Sequence, residues 1–315
     1  MARRSAGDDN LNVLAGIGGH LATAADRVQG LDWRFLVAAL TLQLATLACR
    51  ASAWRNVLAA AYPQQRLPVV SLGCAYAAGM ALNAYLPARG GEGAKIALAR
   101  AQIPGSGVPT IAASLTVLLL VDAVFGASLI LALWATGVLP ELPSVPGIGF
   151  LPVAAGLAAV SILALGLVAH RSRATLRRFL SSAARGLAIL RSPSRYACTV
   201  LPFQLGAWAC RISVVWLVLE AFRIDAGLGT VLLIVIFNGL STAVPVPGGA
   251  GSQQILATYA LQGVISTAAA VSFSVGFQVG TTVLNTTVGL LAAMLLFRTL
   301  RPRAATRLAR ARFAA

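Results

Sequence analysis

Charge is scarce in this sequence, and so is most catalytic side-chain chemistry. Only 11% of its 315 residues are charged, against about a quarter in soluble domains, which excludes a water-soluble globular fold. There are nine acids, one lysine (Lys95) and two histidines. His20 and His170 both lie outside the apolar runs, so neither histidine-dependent catalysis nor a histidine metal cluster inside a membrane is expected. No glycine stretch ends in the Gly-Lys-Ser/Thr of a nucleotide-binding loop. Cys49, Cys74, Cys198 and Cys210 all sit in apolar segments without metal-like spacing and read as packing residues, not disulfides. Residues 1–32 are polar and mixed in charge, with no apolar core of the kind a cleavable signal peptide needs.

What the chain does have is hydrocarbon. Hydrophobic residues make up 58% of it and the mean hydropathy is +0.80, which makes it an integral membrane protein. The formal net charge of +16 would suggest nucleic acid in a soluble protein. Here the arginines sit mostly at the ends of apolar runs, the signature of cytoplasmic loops, so no nucleic-acid partner is expected. The segment 170–195 carries seven arginines and no acid, and the tail 298–315 carries six more. Both are expected in the cytoplasm, together with the N-terminal segment 1–32. The proline-rich stretch from Pro140 to Pro146, with Glu141 and no cation, reads as external.

Between these segments the fold class is all-α, a polytopic helical bundle over residues 33–297 of about seven or eight transmembrane helices. Runs at 35–54, 68–86, 109–137, 147–169, 196–222 and 228–246 are each near the length needed to cross a hydrocarbon core. The uncharged run 252–297 is long enough for two more, with Gly263 as the break. An even count keeps both ends inside, so eight is preferred; if the motifs described next are half-crossing helices, the number of full spans falls. Arg50, near the end of the first run, reads as snorkelling to the interface. Asp122 stands near the middle of 109–137, where a carboxylate needs a polar cavity or a basic partner, Arg211 and Arg89 being the candidates.

Two stretches break the apolar pattern. The run from Leu82 to Lys95 and the run from Leu240 to Gln253 lie on each other without a gap at an offset of 158 residues. Leu82/Leu240, Pro87/Pro245, Gly90/Gly248, Gly91/Gly249 and Gly93/Gly251 coincide. Proline removes a backbone donor and glycine adds freedom, so a helix cannot pass through either stretch unchanged. Repeated halves, about 33–137 and 196–297, each with a broken helix at the same place, point to a transporter's binding site. A helix start after a glycine-rich break offers free N–H groups and a positive dipole end to phosphate. Arg89 and Lys95 add cationic charge there, and Arg is a bidentate phosphate partner. Glu92 and Lys95, three apart, share a helix face and are placed to pair with each other. The second motif carries no charge and would contribute glycine backbone with the amides of Gln253 and Gln254. The blander reading is that these charges only pin an interfacial turn.

The first motif, with Asn83, Pro87, Arg89, Gly91, Glu92 and Lys95, resembles a signature of the flippase-like membrane family, which includes the transmembrane domain of lysylphosphatidylglycerol synthases. The second, with Pro245, Pro247, Gly248, Gly249 and Gly251, resembles the other signature, except that Gln254 stands where the family usually has glutamate. That departure keeps a hydrogen-bonding side chain and loses a charge. The region of Arg50, Trp54 and Arg55 is also similar to the family's first span. The resemblance implies a stand-alone member without the soluble synthase domain, in the inner (plasma) membrane. Its expected partners are membrane lipids with an anionic or phosphate-bearing headgroup, and beyond them a second copy of the chain or enzymes of envelope-lipid synthesis. No cofactor, metal or catalytic residue is expected. A lipid translocase is the leading function. A non-transporting lipid-binding subunit that regulates an envelope enzyme is the alternative, and an intramembrane lipid-modifying enzyme the third.

If 170–195 and the tail face the cytoplasm, single cysteines placed at Ser181 or Thr306 in a cysteine-free background will resist an impermeant maleimide applied to intact cells. They will react once the membrane is opened. Labelling of either from outside overturns the assignment.

Overall fold

A computed structural model describes residues 31–86, 90–137, 181–182, 184–241 and 251–299. Among them there are nine α-helices and no strand. The sequence marks their starts. The Asp32 carboxylate accepts from the Arg34 N–H at 3.0 Å and caps α1 (Trp33–Ala61), satisfying one of the free donors of a first turn. Pro68 precedes α2 (Val69–Asn83), and Pro109 sits in the first turn of α4 (Val108–Ala135), where its missing N–H costs nothing. Between them α3 (Gly91–Gln102) is short. After residues outside the description come α5 (Pro193–Thr199), α6 (Leu201–Ala221), α7 (Leu228–Ser241), α8 (Ser252–Ala260) and α9 (Thr267–Thr299).

Among the described residues α1, α4, α6 and α9 are long and apolar enough to cross a membrane. At 15 and 14 residues, α2 and α7 reach only about 20 Å, short of a hydrocarbon core of about 30 Å. The run 252–297 does not form two crossings: it is the nine-residue α8, a turn holding Gly263, and the single 33-residue α9. The expected span at 147–169 lies outside the described residues.

The bundle is centred on α1 and α6, which run antiparallel. The Asp32 N–H donates to the Ala221 carbonyl, and 24 residues further along α1 the Asn56 amide donates to the Thr199 carbonyl. Two apolar cores flank this pair. One gathers Trp54, Leu58, Leu72 and Ile111 from the first group of helices, the other Val218, Ile234, Leu261 and Phe273 from the second. α2 lies along α9, where Gly289 packs against Ala77 and Ala81, the small-residue contact expected where lipid supplies no hydrophobic drive between helices.

The helices repeat in order: long, short, short, long. Asn83 and Ser241, the last residues of α2 and α7, are 158 apart, as are Gln102 and Ala260, the last of α3 and α8.

Helix direction sorts the charges. One end of the bundle holds the exit of α1, the turn with Gln65 bonded to the Pro104 carbonyl, and the segment near Ser182 bonded by Thr110. Arg55, Arg66, Arg100, Arg185, Arg191 and Arg195 belong to this end, and no acid does among the described residues. α9 also finishes there, since Leu296 packs with Cys74 near the start of α2. The described part of the arginine-rich segment and the end of α9 thus lie at one end of the bundle. The opposite end holds Asp32, Arg34, Glu220, Arg223 and Asp225. Asp32 and the arginine end thus stand at opposite ends of α1, a helix long and apolar enough to cross a membrane.

A β-carbon at Gly206 of α6 would stand 3.5 Å from the Cys49 sulfur of α1, near disulfide reach. Gly206→Cys, with Cys49 as the only other cysteine, is expected to cross-link under mild oxidation, read as loss of both maleimide-reactive thiols in the monomer. Two thiols that stay free under oxidation contradict the α1–α6 packing.

Candidate functional site

The first break is closed by side chains. Asn83 ends α2, and its amide donates to the Glu92 carboxylate on the first turn of α3 at 3.2 Å. The Lys95 ammonium donates to the same oxygen at 2.8 Å and lies 4.2 Å from the centre of the Tyr76 ring. The pairing expected for Glu92 and Lys95 is therefore present. Its setting is not that of an open ligand: Lys95 is 2% exposed and faces α2, so in this state its charge is used between the two helices. Among the described residues the buried Asn83 carbonyl oxygen has no partner, an acceptor left over beside the break.

Gly91 is needed for closeness. A β-carbon there would enter the van der Waals shell of the Gly79 carbonyl oxygen and the Asn83 side chain, whereas one at Gly93 would meet nothing within 4 Å. The backbones of α2 and α3 can lie this close only because both facing residues are glycines.

From Tyr76 the polar contacts run on into the bundle. The Arg50 guanidinium donates to the Tyr76 hydroxyl at 3.0 Å and forms an ion pair with Asp122. The Trp208 indole donates to the other Asp122 oxygen at 3.1 Å. The Arg211 guanidinium sits 5.3 Å from the Trp208 ring centre, a cation–π distance. Asp122 thus faces the interior and pairs with a cation, as expected, but among the described residues the cation is Arg50 and not Arg211; Arg89 lies outside them. Arg50 turns inward instead of snorkelling because α1 continues to Ala61, which leaves the guanidinium well inside the helix and close to a carboxylate. The pair is largely shielded, at 16% and 19% side-chain exposure. Beside it a cavity of about 10 Å³, lined by Leu118, Gln204 and Ala207, is close to the space one water needs.

The second break is spanned by weaker chemistry. The Ser252 hydroxyl reaches the Ser241 carbonyl at 3.4 Å, linking the end of α7 to the start of α8. Gly251 takes φ +82°, a conformation costly for any residue with a β-carbon, and its N–H donates to the Gln254 side-chain oxygen at 2.6 Å. The Gln254 amide bonds Gln278 of α9. Gln253 is buried next to it. At the first break the Tyr85 hydroxyl lies 2.8 Å from the Thr286 hydroxyl, also of α9. Both breaks therefore touch one helix, at points eight residues apart, about 12 Å along its axis.

The structure brings Asn83, Gly90, Gly91, Glu92 and Lys95 together, joins them through Tyr76 and Arg50 to Asp122 and Arg211, and sets Gly251, Gln253 and Gln254 at the head of α8. Pro87, Arg89, Pro247, Gly248 and Gly249 lie outside the described residues. Sequence reasoning missed Arg50, Tyr76, Trp208 and Gln278 as members of this network. Arg50 was visible as a charge inside an apolar run, and Tyr76 and Trp208 as amphipathic rings that need a hydrogen-bond partner when buried.

The family model for the lysylphosphatidylglycerol synthase TM region matches residues 14–289, which takes in both breaks and the whole ion-pair network. No curated protein and no solved structure matches the chain.

The two glycines of α3 should respond in opposite directions. Gly91→Ala is expected to lower the thermal midpoint in detergent because the methyl group forces α3 off α2. Gly93→Ala should leave it unchanged or raise it, by roughly 0.5–1 kcal/mol of helix propensity. Equal midpoints for the two variants contradict the close α2–α3 contact.

Proposed function

Because the chain belongs to the lysylphosphatidylglycerol synthase TM region family, we propose that it moves a phospholipid or another polar-headed lipid between leaflets, its headgroup held at the two helix breaks. One observation carries this reading. A helix too short to cross, a Pro/Gly break and a short returning helix occur twice at an offset of 158 residues, and both sets lean on α9.

In this reading the two sets are halves of an internal repeat. The antiparallel course of α1 and α6, which hold the same position in each half, supports inverted halves. Each α2–α3 or α7–α8 pair is then a re-entrant hairpin, the first entering from the arginine end and the second from the other. Transporters of this design place the substrate where the broken helices meet near mid-depth. The first turns of α3 and α8 point their N–H groups and positive dipole ends at the breaks, an environment suited to a phosphate. Arg89 supplies the cationic partner, and Gly248 and Gly249 let backbone approach the headgroup. Glu92 and Lys95 act one step back, fixing α3 on α2 so that Arg89 is presented. Asp122, Arg50 and Arg211 form the polar floor behind the first break. The lipid crosses without covalent change, so the protein is not an enzyme, and the arginine end faces the cytoplasm of a plasma-membrane protein.

Proteoliposomes with a headgroup-labelled phosphatidylglycerol test the proposal, with leaflet exchange read by quenching from outside. Arg89→Ala and Gly249→Leu are each expected to stop exchange in correctly inserted protein. Arg89→Lys should keep part of it, since charge remains while the bidentate fork is lost. Wild-type exchange in Arg89→Ala removes the headgroup role. A lipid recovered chemically altered would mark an enzyme instead.

A further inference from the structure

The offset of 158 also relates two clefts beside the α1–α6 pair. The first, between α1, α4 and α6, holds Leu118 and Asp122 on its α4 wall, with Arg50 opposite. The second, between α1, α6 and α9, holds Gly276 and Gly280 on its α9 wall. Leu118 and Gly276 are 158 apart, and so are Asp122 and Gly280. Where one cleft carries a leucine and a paired carboxylate, the other carries two glycines and is hollow.

That hollow has a volume of about 40 Å³; Ala39, Leu40, Val214 and Val218 line it around the two glycines, Gln43 and Thr281 also border it, and the surface it exposes is apolar. Phe222 closes it behind Gly276, where a β-carbon would meet the ring at 3.0 Å. At Gly280 a β-carbon would meet nothing within 4 Å, so this glycine opens the floor of the cleft. All three walls are helices long and apolar enough to cross a membrane. A cleft between such helices lies at the depth where a bilayer is hydrocarbon.

We infer that this cleft is a binding subsite for one aliphatic chain of a membrane lipid. The inference rests on the reading of the protein as a lipid handler and adds to it a place for the chain, apart from the headgroup site at the breaks. The fit is between like materials: a slender aliphatic segment meets an apolar groove, and the missing side chains at 276 and 280 make the room. The Arg50–Asp122 cleft cannot take this role, because a chain there would have to cover a charged pair.

The test reads binding and not transport, so it stands even if the protein moves no lipid. The full chain is reconstituted in phosphatidylcholine vesicles containing a phosphatidylglycerol with a diazirine on one acyl chain. After irradiation, labelled peptides are mapped with and without excess unlabelled phosphatidylglycerol. The expected result is labelling concentrated on the cleft faces of α1 and α9 and removed by competitor. Gly280→Leu should lower it about tenfold, as expected for losing the burial of roughly two methylenes. Leu40→Ala, added to Gly280→Leu, reopens space and should restore part of the label, which separates cleft filling from misfolding. Val279→Leu, on the exposed side of α9, should change nothing. Label spread evenly over all outward faces, label that competitor cannot displace, or label indifferent to Gly280→Leu would each overturn the inference.

Discussion

An ion pair in the middle of an apolar bundle is a constraint before it is a stabilising contact. Taking Arg50 and Asp122 out of water costs several kcal/mol for each ion, and removing one partner leaves the other exposed to that cost, about 3–5 kcal/mol for a buried pair. The pair therefore fixes the positions of α1 and α4 relative to each other. Through the Tyr76 hydroxyl it also fixes α2, and through the Trp208 indole it fixes α6. Four helices meet on two charged groups. Such pairs gain little net stability over well-packed apolar residues, so this one is better understood as setting which arrangement forms.

Broken helices impose the second constraint, since hydrocarbon offers no partner for freed backbone groups. The two breaks meet it differently. The first uses charge: Glu92 receives both Asn83 and Lys95, while glycines at 79 and 91 bring the backbones together. The second uses neutral groups: Gln254 accepts from the Gly251 N–H and donates to Gln278. A glutamate at 254 would hold the same N–H but place an anion beside the second break. The glutamine keeps the cap and leaves that side neutral. The proposed site is thus asymmetric in charge, with cation supplied from the first half and backbone and amides from the second.

The same asymmetry extends to the flanks of the α1–α6 pair. Trp208 stands 158 residues after Arg50, and both bond to Asp122. Asp122 has no counterpart, because glycine stands at 280. The surroundings of a single carboxylate thus draw on two residues 158 apart, and the glycine at the same offset from it lines an apolar hollow.

Much of this was legible in the chain itself. Low charge and long apolar runs determine a helical membrane bundle, because only closed hydrogen-bonding elements survive in lipid. The two Pro/Gly stretches and their constant offset mark where helices must break, since proline and glycine act locally. Asp122 declares itself interior because a lone carboxylate in hydrocarbon requires a partner. What the sequence could not choose was the partner. Arg50 lies 72 residues away, and only the packing of α1 on α4 brings it in and leaves Arg211 over an indole. Lys95 looked like a ligand for phosphate, yet the fold buries it between α2 and α3, since three-residue spacing says which groups share a face and not what that face meets. Arginine counts grouped 170–195 with the tail, and the described residues near Ser182 and the end of α9 do lie at one end of the bundle. Residue 32 stands at the other end, because charge patterns do not show how apolar runs pack against one another, and the antiparallel contact of α1 with α6 does.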